Sequence, residues 1–202
     1  AEIAAPVARL LELGEPRCTG PAEWLDYQEL ELGPEHIPAL IILASDLSLL
    51  RNPDENDRRS WGPVHAWRAL GQLRAVQAIE ALICLFHSMP DNDWIIEEMP
   101  DVFALIGPCA FAPLAAYLAD PSRPTYARLI AATSLMEIAQ LAPEMRVRTI
   151  AALANELASY RSNSPGVNSV LIANLIELQA SEQADLIHCV FVESKVDRFI
   201  VG

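Results

Sequence analysis

One spacing of apolar residues recurs along this sequence and limits the folds that the chain can adopt. The clearest copy follows an i, i+3, i+6, i+7, i+10 order, with Val76, Ile79, Leu82, Ile83 and Phe86. Because an α-helix completes a turn about every 3.6 residues, this order places all five side chains on one helical face. A sequence that repeats such a face is expected to consist of similar helical units.

The same order returns along the chain at a nearly constant interval. Its copies begin at residues 37, 76, 111, 147 and 184, so the intervals are 39, 35, 36 and 37 residues. Another apolar segment and a short turn precede each copy. Three of the turns read LGPE, IGPC and LAPE, in which Gly or Ala ends one helix and Pro opens the next. No segment alternates with a period of two, so we expect no strands.

These features predict a repeating all-α fold. A helical hairpin cannot bury both of its apolar faces alone, whereas stacking on neighbouring hairpins covers them. We therefore predict an α-solenoid of about five stacked helical hairpins, with residues 1–202 as a single domain. A compact bundle is the weaker alternative because the interval is regular. The units are predicted at residues 21–50, 61–89, 94–120, 125–160 and 166–202, and their first helices at residues 22–31, 63–72, 96–106, 126–140 and 167–179.

Two stretches resemble a known repeat family. GPEHIPALI at residues 33–41 and ALGQLRAVQAIEALICLF at residues 69–86 are similar to the HEAT-like repeats named after phycobilisome lyases, which have a Leu-Gly turn before an apolar second helix. The resemblance covers the chain from about Pro21 to its end. The second unit departs from it, with Arg74 and the two residues that follow where many such repeats carry Gly-Asp-Pro. The resemblance implies stacked hairpins and carries over no catalytic residue, and such a fold serves scaffolds, adaptors and enzyme-associated proteins alike.

The charge balance argues against two classes of partner. The chain has 14 Lys and Arg against 27 Asp and Glu, which gives a net charge of −13. A nucleic-acid-binding protein needs a basic surface to displace counterions from phosphates, but the adjacent pair Arg58 and Arg59 lies among acidic residues. We therefore expect neither nucleic acid nor an anionic membrane surface as a partner.

The uncharged stretch at residues 102–119 has the composition of a membrane span. Its eighteen residues are interrupted by Gly107, Pro108 and Pro113, which predicts two short helices instead of one long one. We therefore expect no transmembrane helix.

The sequence does not indicate a metal site or a cofactor. The four cysteines are scattered without a CxxC pair, which predicts four free thiols and a cytoplasmic protein. Cys84 and His87 share a helix face but supply only half of a zinc ligand set. The acidic run DNDWIIEEMPD at residues 91–101 lacks the mid-loop glycine of a calcium site. Since acidic residues favour a helix N-terminus, we interpret the run as a solvated helix start.

His65 is the best candidate for a reactive group, because histidine titrates near neutral pH. It lies between Trp61 and Trp67 without a nucleophile beside it, and its position in the first turn of a helix predicts a side chain that faces water. Phosphate-binding loops, nucleophile elbows and HExxH helices are absent from the sequence. We therefore predict that the protein is not an enzyme.

Aromatic residues recur near the starts of the first helices. Trp24, Trp61, Trp94 and Tyr126 are 37, 33 and 32 residues apart, so stacking would bring them to one edge of the molecule. They either seal one repeat against the next or form a row of anchors for an extended partner.

The function predicted from the sequence is a non-enzymatic protein-binding scaffold or adaptor that uses its groove or its aromatic edge. The negative charge and the aromatic residues favour a protein or peptide partner that is basic and partly apolar. The alternative is an enzyme-associated or chromophore-lyase-like HEAT-repeat protein. The candidate partner-binding residues are Trp24, Trp61, His65, Trp94, Glu97, Glu98 and Tyr126.

Overall fold

The computed structural model of the chain describes residues 5–17, 20–51, 57–89 and 92–201. Within these ranges every regular element is a helix and none is a strand, so the all-α prediction is confirmed. The α-helices are α1 Ile37–Ala44, α2 Leu47–Arg51, α3 Gly62–Gln72, α4 Ile79–Ser88, α5 Asp93–Ile106, α6 Phe111–Ala119, α7 Thr125–Leu141, α8 Arg146–Leu157, α9 Pro165–Glu177 and α10 Ala184–Val192.

Five of the described α-helices begin in the same way. A 3-10 turn of three residues leads directly into α1, α4, α6, α8 and α10, which are the predicted second helices. Proline opens three of these turns, because its fixed φ suits a helix start and its missing N–H would have no helical partner there. The five turns are Pro34–His36, Val76–Ala78, Pro108–Ala110, Pro143–Met145 and Ser181–Gln183.

The chain leaves α3 through a left-handed residue. Arg74 has a φ of 51°, and the N–H groups of Arg74 and Ala75 donate to the carbonyls of Gly71 and Leu70. This is the Schellman arrangement that usually has glycine at the left-handed position. Gln179, with a φ of 52°, repeats it at the end of α9. Non-glycine residues therefore make a turn in which glycine is the usual residue.

The longer helices pack in chain order. α1 contacts α3, α3 contacts α5, α5 contacts α7 and α7 contacts α9. α6 lies against α4, α7 and α8, and α8 also packs on α9. The buried apolar side chains form one continuous cluster that extends from Val7 to Val201. Neighbouring helices thus cover one another's apolar surface.

The predicted helix at residues 22–31 is wrong, since the structure has only a 3-10 turn at Pro21–Glu23. The side-chain amide of Gln72 on α3 holds the backbone of this segment instead. Its Oε1 accepts the N–H of Tyr27 at 3.0 Å, and its Nε2 donates to the carbonyl of Leu25 at 2.8 Å. Because α3 satisfies these backbone groups, the segment does not require helical hydrogen bonds.

The predicted core face of the second helices is correct in its centre and partly correct at its start. Ile79, Leu82 and Phe86 are buried, as predicted, and so are the starting residues Ile37 and Phe111, but Val76 is 48% exposed and Val147 is 73% exposed. Ile37 and Phe111 are the first residues of α1 and α6, whereas Val76 opens the 3-10 turn before α4 and Val147 is the second residue of α8, so the predicted register is displaced in these two copies.

The break predicted in the uncharged stretch is present. Among the described residues no single helix is long and apolar enough to cross a membrane. Asp93–Ile106 and Pro108–Ala119 reach that length and composition only together, and they meet at 114°. Gly107 adopts a φ of 94° at the bend, a conformation that favours glycine.

Candidate functional site

The predicted aromatic positions near the N-terminus meet in the interior of the molecule. Trp24 and Trp61 are buried, and Trp94 is partly buried. The rings of Trp61 and Trp94 meet edge to face with their centroids 5.3 Å apart, a favourable geometry for two aromatic rings. Since these residues join the segment before α1 to the starts of α3 and α5, their positions favour the sealing interpretation.

A buried ion pair lies among these rings. Arg68 on α3 and Glu98 on α5 are 2% and 3% exposed, and the guanidinium binds both carboxylate oxygens, with Nε and Oε2 2.9 Å apart. The indole N–H of Trp67 donates to the same Oε2 at 3.0 Å. The guanidinium also lies 4.8 Å from the ring centroid of Trp24 and 5.9 Å from that of Trp94.

The prediction that Glu98 belongs to a solvated helix start is therefore wrong. Its carboxylate is fully partnered and buried, so it stabilises the contact between α3 and α5 and offers little surface to a partner. Asp93 does occupy the first turn of α5, as the helix-start interpretation predicts, and Asp91 lies outside the described residues.

The prediction that the His65 side chain faces water is wrong, because this residue is only 2% exposed. Its Nε2 donates to the carbonyl of Gly14 at 2.9 Å, because a carbonyl can only accept. Nδ1 is then unprotonated and accepts the hydroxyl hydrogen of Tyr27 at 2.7 Å. Burial lowers the pKa of His65 to about 4. A neutral imidazole with both nitrogens occupied has no free nitrogen for proton transfer, so the structure gives His65 a structural role.

A row of carboxylates crosses three successive first helices. Asp101 lies on α5, Glu137 on α7 and Glu177 on α9. Burial raises the pKa of both Asp101 and Glu137, and negative neighbours raise it further: Glu98 acts on Asp101, while Asp101 and Glu177 act on Glu137. In the described part of the chain none of the three row members forms an ion pair. Such repulsion between half-buried carboxylates is more common at binding sites than elsewhere.

An apolar pocket of about 250 Å³ adjoins this row. Ile96 from α5, Tyr126, Leu129 and Thr133 from α7, and Val170 from α9 line it. Residues four apart lie one above the other on a helix, so the pocket reaches to within one turn of the carboxylate at position 137. The pocket and the row thus lie on the same three helices, α5, α7 and α9, and we call the surface that carries them the acidic–apolar face.

The sequence-predicted candidates fall into two groups. Trp24, Trp61, His65 and Glu98 are buried, whereas Trp94 is partly buried, Glu97 is exposed and Tyr126 lines the apolar pocket. The sequence reasoning missed Glu137 and Glu177. They follow Asp101 at intervals of 36 and 40 residues, so a search for acidic residues at the repeat interval would find them.

A second pocket, of about 300 Å³, lies between α4 and α6. His87 Nδ1 and the hydroxyl of Tyr117 are 3.1 Å apart, and the Arg123 guanidinium lies 5.1 Å from the Tyr117 ring centroid. Arg123 also pairs with Asp120 at 3.1 Å. These polar groups already bind one another, which leaves less for a ligand than the acidic–apolar face offers.

The cysteines and acidic residues do not assemble a metal site in the described ranges. Cys84, Cys109 and Cys189 are free, as predicted, and Cys18 lies outside the described residues. No group of three His, Cys, Asp or Glu side chains among the described residues is placed to hold a metal ion.

No protein-family model, no curated protein and no solved structure matches this chain. The resemblance to HEAT-like repeats therefore stays a prediction from the sequence.

Proposed function

We propose that this protein is a non-enzymatic scaffold, an α-solenoid of stacked helical hairpins, that binds a basic and partly apolar segment of another protein. Two features support the solenoid: the helices pack in chain order, and the second helices share one kind of start. The binding surface is the acidic–apolar face of α5, α7 and α9. The observation that carries this assignment is a row of carboxylates that have no ion-pair partner among the described residues and lie near an apolar pocket.

The geometry of this face specifies the chemistry of the partner. Packed helices lie about 10 Å apart, so carboxylates on successive helices have about the same spacing. Three residues of an extended polyproline II chain span about 9 Å, and every third side chain of such a chain points to the same side. An extended segment with Lys or Arg at every third position would therefore match the row formed by Asp101, Glu137 and Glu177. A neighbouring aliphatic or aromatic side chain would fill the pocket beside Tyr126.

Positive side chains of the partner would also offset the repulsion between the carboxylates of the row. A positive charge beside Glu137 favours its ionised form and lowers the raised pKa of this carboxyl. Binding should therefore release protons near the acid end of the pH range and weaken as salt screens the charges.

Synthetic peptides test this proposal directly. A peptide of about twelve residues with Lys at every third position and one Leu beside a Lys should bind, whereas the same peptide with Glu for Lys should not. Calorimetry should show that Glu137→Gln weakens binding about tenfold, because it removes one charge pair. The matched control is Glu29→Gln, which removes the same charge at an exposed site far along the chain.

Equal affinity of the two variants would refute the assignment of this face. A chromophore that remains on the purified protein would instead favour the chromophore-lyase-like alternative.

A further inference from the structure

The segment that precedes α1 lies across α3, and its described part has two 3-10 helices and no α-helix. We call its described residues, 5–17 and 20–32, the strap. Leu10 of the strap is fully buried. Leu11 approaches Gly62 on α3 so closely that a Cβ at this glycine would lie 2.6 Å from the Cδ2 of the leucine. The strap is therefore part of the packed core at this end of the molecule.

Side chains from α3 and the turn before it hold the strap by its backbone. Four described side chains donate hydrogen bonds of 2.8 to 3.2 Å to strap carbonyls: His65 to Gly14, Arg68 to Arg17, Gln72 to Leu25 and Arg58 to Glu12. Three of these donors lie on α3 at intervals of three and four residues, so they share one helical face. Arginine stays charged and glutamine stays neutral, so His65 is the donor among these four that changes its charge between about pH 4 and pH 7.

A proton on His65 is incompatible with the closed position of the strap. Its Nδ1 accepts the hydroxyl hydrogen of Tyr27 at 2.7 Å, but an imidazolium has two donors and no acceptor. The added charge would also be buried, because Tyr27 and the rest of the strap exclude water from this side of α3. Protonation therefore breaks one attachment of the strap and leaves a buried charge beneath it.

The charged groups around His65 do not compensate such a charge. Burial lowers the pKa of His65 to about 4, and the positive charge of Arg68 contributes to this shift. Glu98 on α5 is already bound by the Arg68 guanidinium. Among the elements that pack on α3, α1 has no titratable side chain, and α2 and the 3-10 turn before α3 have only arginines.

The other titratable side chains on the elements around His65 lie away from it. Those of the strap, apart from Tyr27, are exposed. Asp93 and Glu97 on α5 are also exposed, and Asp101 belongs to the row of carboxylates on the acidic–apolar face. A protonated His65 thus has no carboxylate to pair with while the strap is closed.

We infer that the strap is an acid-released cover: protonation of His65 detaches it from α3 while the helices from α5 to α9 stay folded. Release removes a cover from α3 alone, since α5, α7 and α9 pack on one another in chain order. It also uncovers the Arg68 guanidinium, which lies 4.8 Å from the ring centroid of Trp24 in the closed strap. The open form thus presents a surface of α3 that the closed form hides. The acidic–apolar face takes no part, so the inference does not depend on the proposed function.

The linkage between protonation and release sets the size of the effect. In the released form the imidazole is in water, so its pKa returns to about 6.5 from the value of about 4 in the closed form. The open form therefore binds more protons between these values, and falling pH favours it. The equilibrium constant for release should rise about 20-fold from pH 7 to pH 5 and about 100-fold from pH 7 to pH 4.

Tryptophan fluorescence provides the first test, because it reports on this end of the molecule alone. All four tryptophans lie in the strap, on α3 or the turn before it, or on α5: Trp24, Trp61, Trp67 and Trp94. When the full chain is acidified, its emission should shift to longer wavelength at a pH where far-UV circular dichroism still shows the helix content of neutral pH. A simultaneous change in emission and helix content would overturn the inference.

Two variants provide the second test, because they should move the fluorescence transition in opposite directions. His65→Gln retains a donor and an acceptor but cannot titrate, so its transition should lie about one pH unit lower or more. Tyr27→Phe removes the hydroxyl that occupies Nδ1, so the imidazole binds a proton more readily and the transition should move to higher pH. The matched control is His188→Gln, which removes an exposed imidazole from α10 and should leave the transition unchanged. A wild-type transition in His65→Gln, or an unshifted one in Tyr27→Phe, would show that His65 does not control the strap.

Discussion

The two ends of the described chain differ in how completely their apolar side chains are buried. At the N-terminal end, the 3-10 helix Val7–Glu12 packs on α3, and its Val7 and Leu10 are buried. At the C-terminal end, α10 leaves most of its apolar side chains at least partly exposed. Both ends have an apolar helix face to cover, but only the first is covered by residues of the described chain.

The N-terminal end shows what such a cover requires. His65, Arg68 and Gln72 lie on one face of α3, and each bonds to backbone of the irregular segment that precedes α1. Their acceptors are the carbonyls of Gly14, Arg17 and Leu25. An irregular segment can cover an apolar face only if its backbone groups find partners, and here three long polar side chains supply them. α10 has no comparable polar stripe among its described residues.

The largest expected effect comes from the buried ion pair at the covered end. Glu98→Gln leaves the Arg68 guanidinium buried without its countercharge, so the free energy of unfolding should fall by about 3 to 5 kcal/mol. Urea denaturation followed by circular dichroism measures this loss. Glu80→Gln, which removes an exposed carboxylate from α4, should change stability by less than about 0.5 kcal/mol. Similar losses in the two variants would mean that the Arg68–Glu98 pair does not stabilise the covered end.

A matched pair of leucines compares the two ends directly. Leu10→Ala removes a fully buried side chain at the N-terminal end and should cost about 2 to 5 kcal/mol. Leu186→Ala on α10 removes a partly exposed side chain and should cost less than about 1.5 kcal/mol. The free energy of unfolding of both variants is measured by urea denaturation. Equal losses of unfolding free energy in the two variants would mean that the two ends bury their apolar side chains equally.

Acid should weaken the covered end through His65. Its pKa of about 4 in the folded protein lies below the value of about 6.5 in the unfolded chain, so the unfolded chain binds more protons between these values. The contribution of His65 to the free energy of unfolding is complete above pH 6.5. It should fall by about 2 kcal/mol between pH 6.5 and pH 5. His65→Gln cannot titrate and should show a flatter profile in this range. An unchanged profile would show that His65 is not buried neutral.

The smallest expected effect is a gain in stability, and it concerns Glu137 on α7, which lies between the two ends of the chain. Burial and like charges raise the folded-state pKa of Glu137, so the folded protein binds more protons than the unfolded chain just above the usual glutamate pKa. Its ionisation therefore lowers stability as pH rises through the folded pKa. Glu137→Gln should raise the melting temperature slightly at neutral pH and leave it unchanged below about pH 4. A lower melting temperature at neutral pH would contradict the repulsion.

The second helices could be predicted from the sequence because their signals are local. The apolar spacing around Ile79 and the Gly-Pro or Ala-Pro turns act within one or two helical turns. The segment at residues 22–31 could not be predicted, because its conformation depends on hydrogen bonds from Gln72, more than forty residues away. Local patterns carry no information about such distant partners.

The candidate site was predicted only in its general chemistry. The net charge and the aromatic residues indicated a basic, partly apolar partner, and Tyr126 does line the apolar pocket. His65 and Glu98 look solvated in the sequence because polar residues near a helix start usually are. In the structure the N-terminal segment buries His65, and α3 buries Glu98. Glu137 and Glu177 look unremarkable alone, and only the packing of the helices brings Glu137 near both Asp101 and Glu177.

The packing of helices in chain order also has a consequence for how the protein opens. Because each helix depends mainly on its neighbours along the chain, local unfolding can proceed from an end without disturbing the middle. Backbone amides of α5 and α7, which have neighbours on both sides, should exchange with deuterated water most slowly. The amides of α10 should exchange fastest among the α-helices of the described chain. The N-terminal segment should open only when the side chains of α3 release its backbone carbonyls.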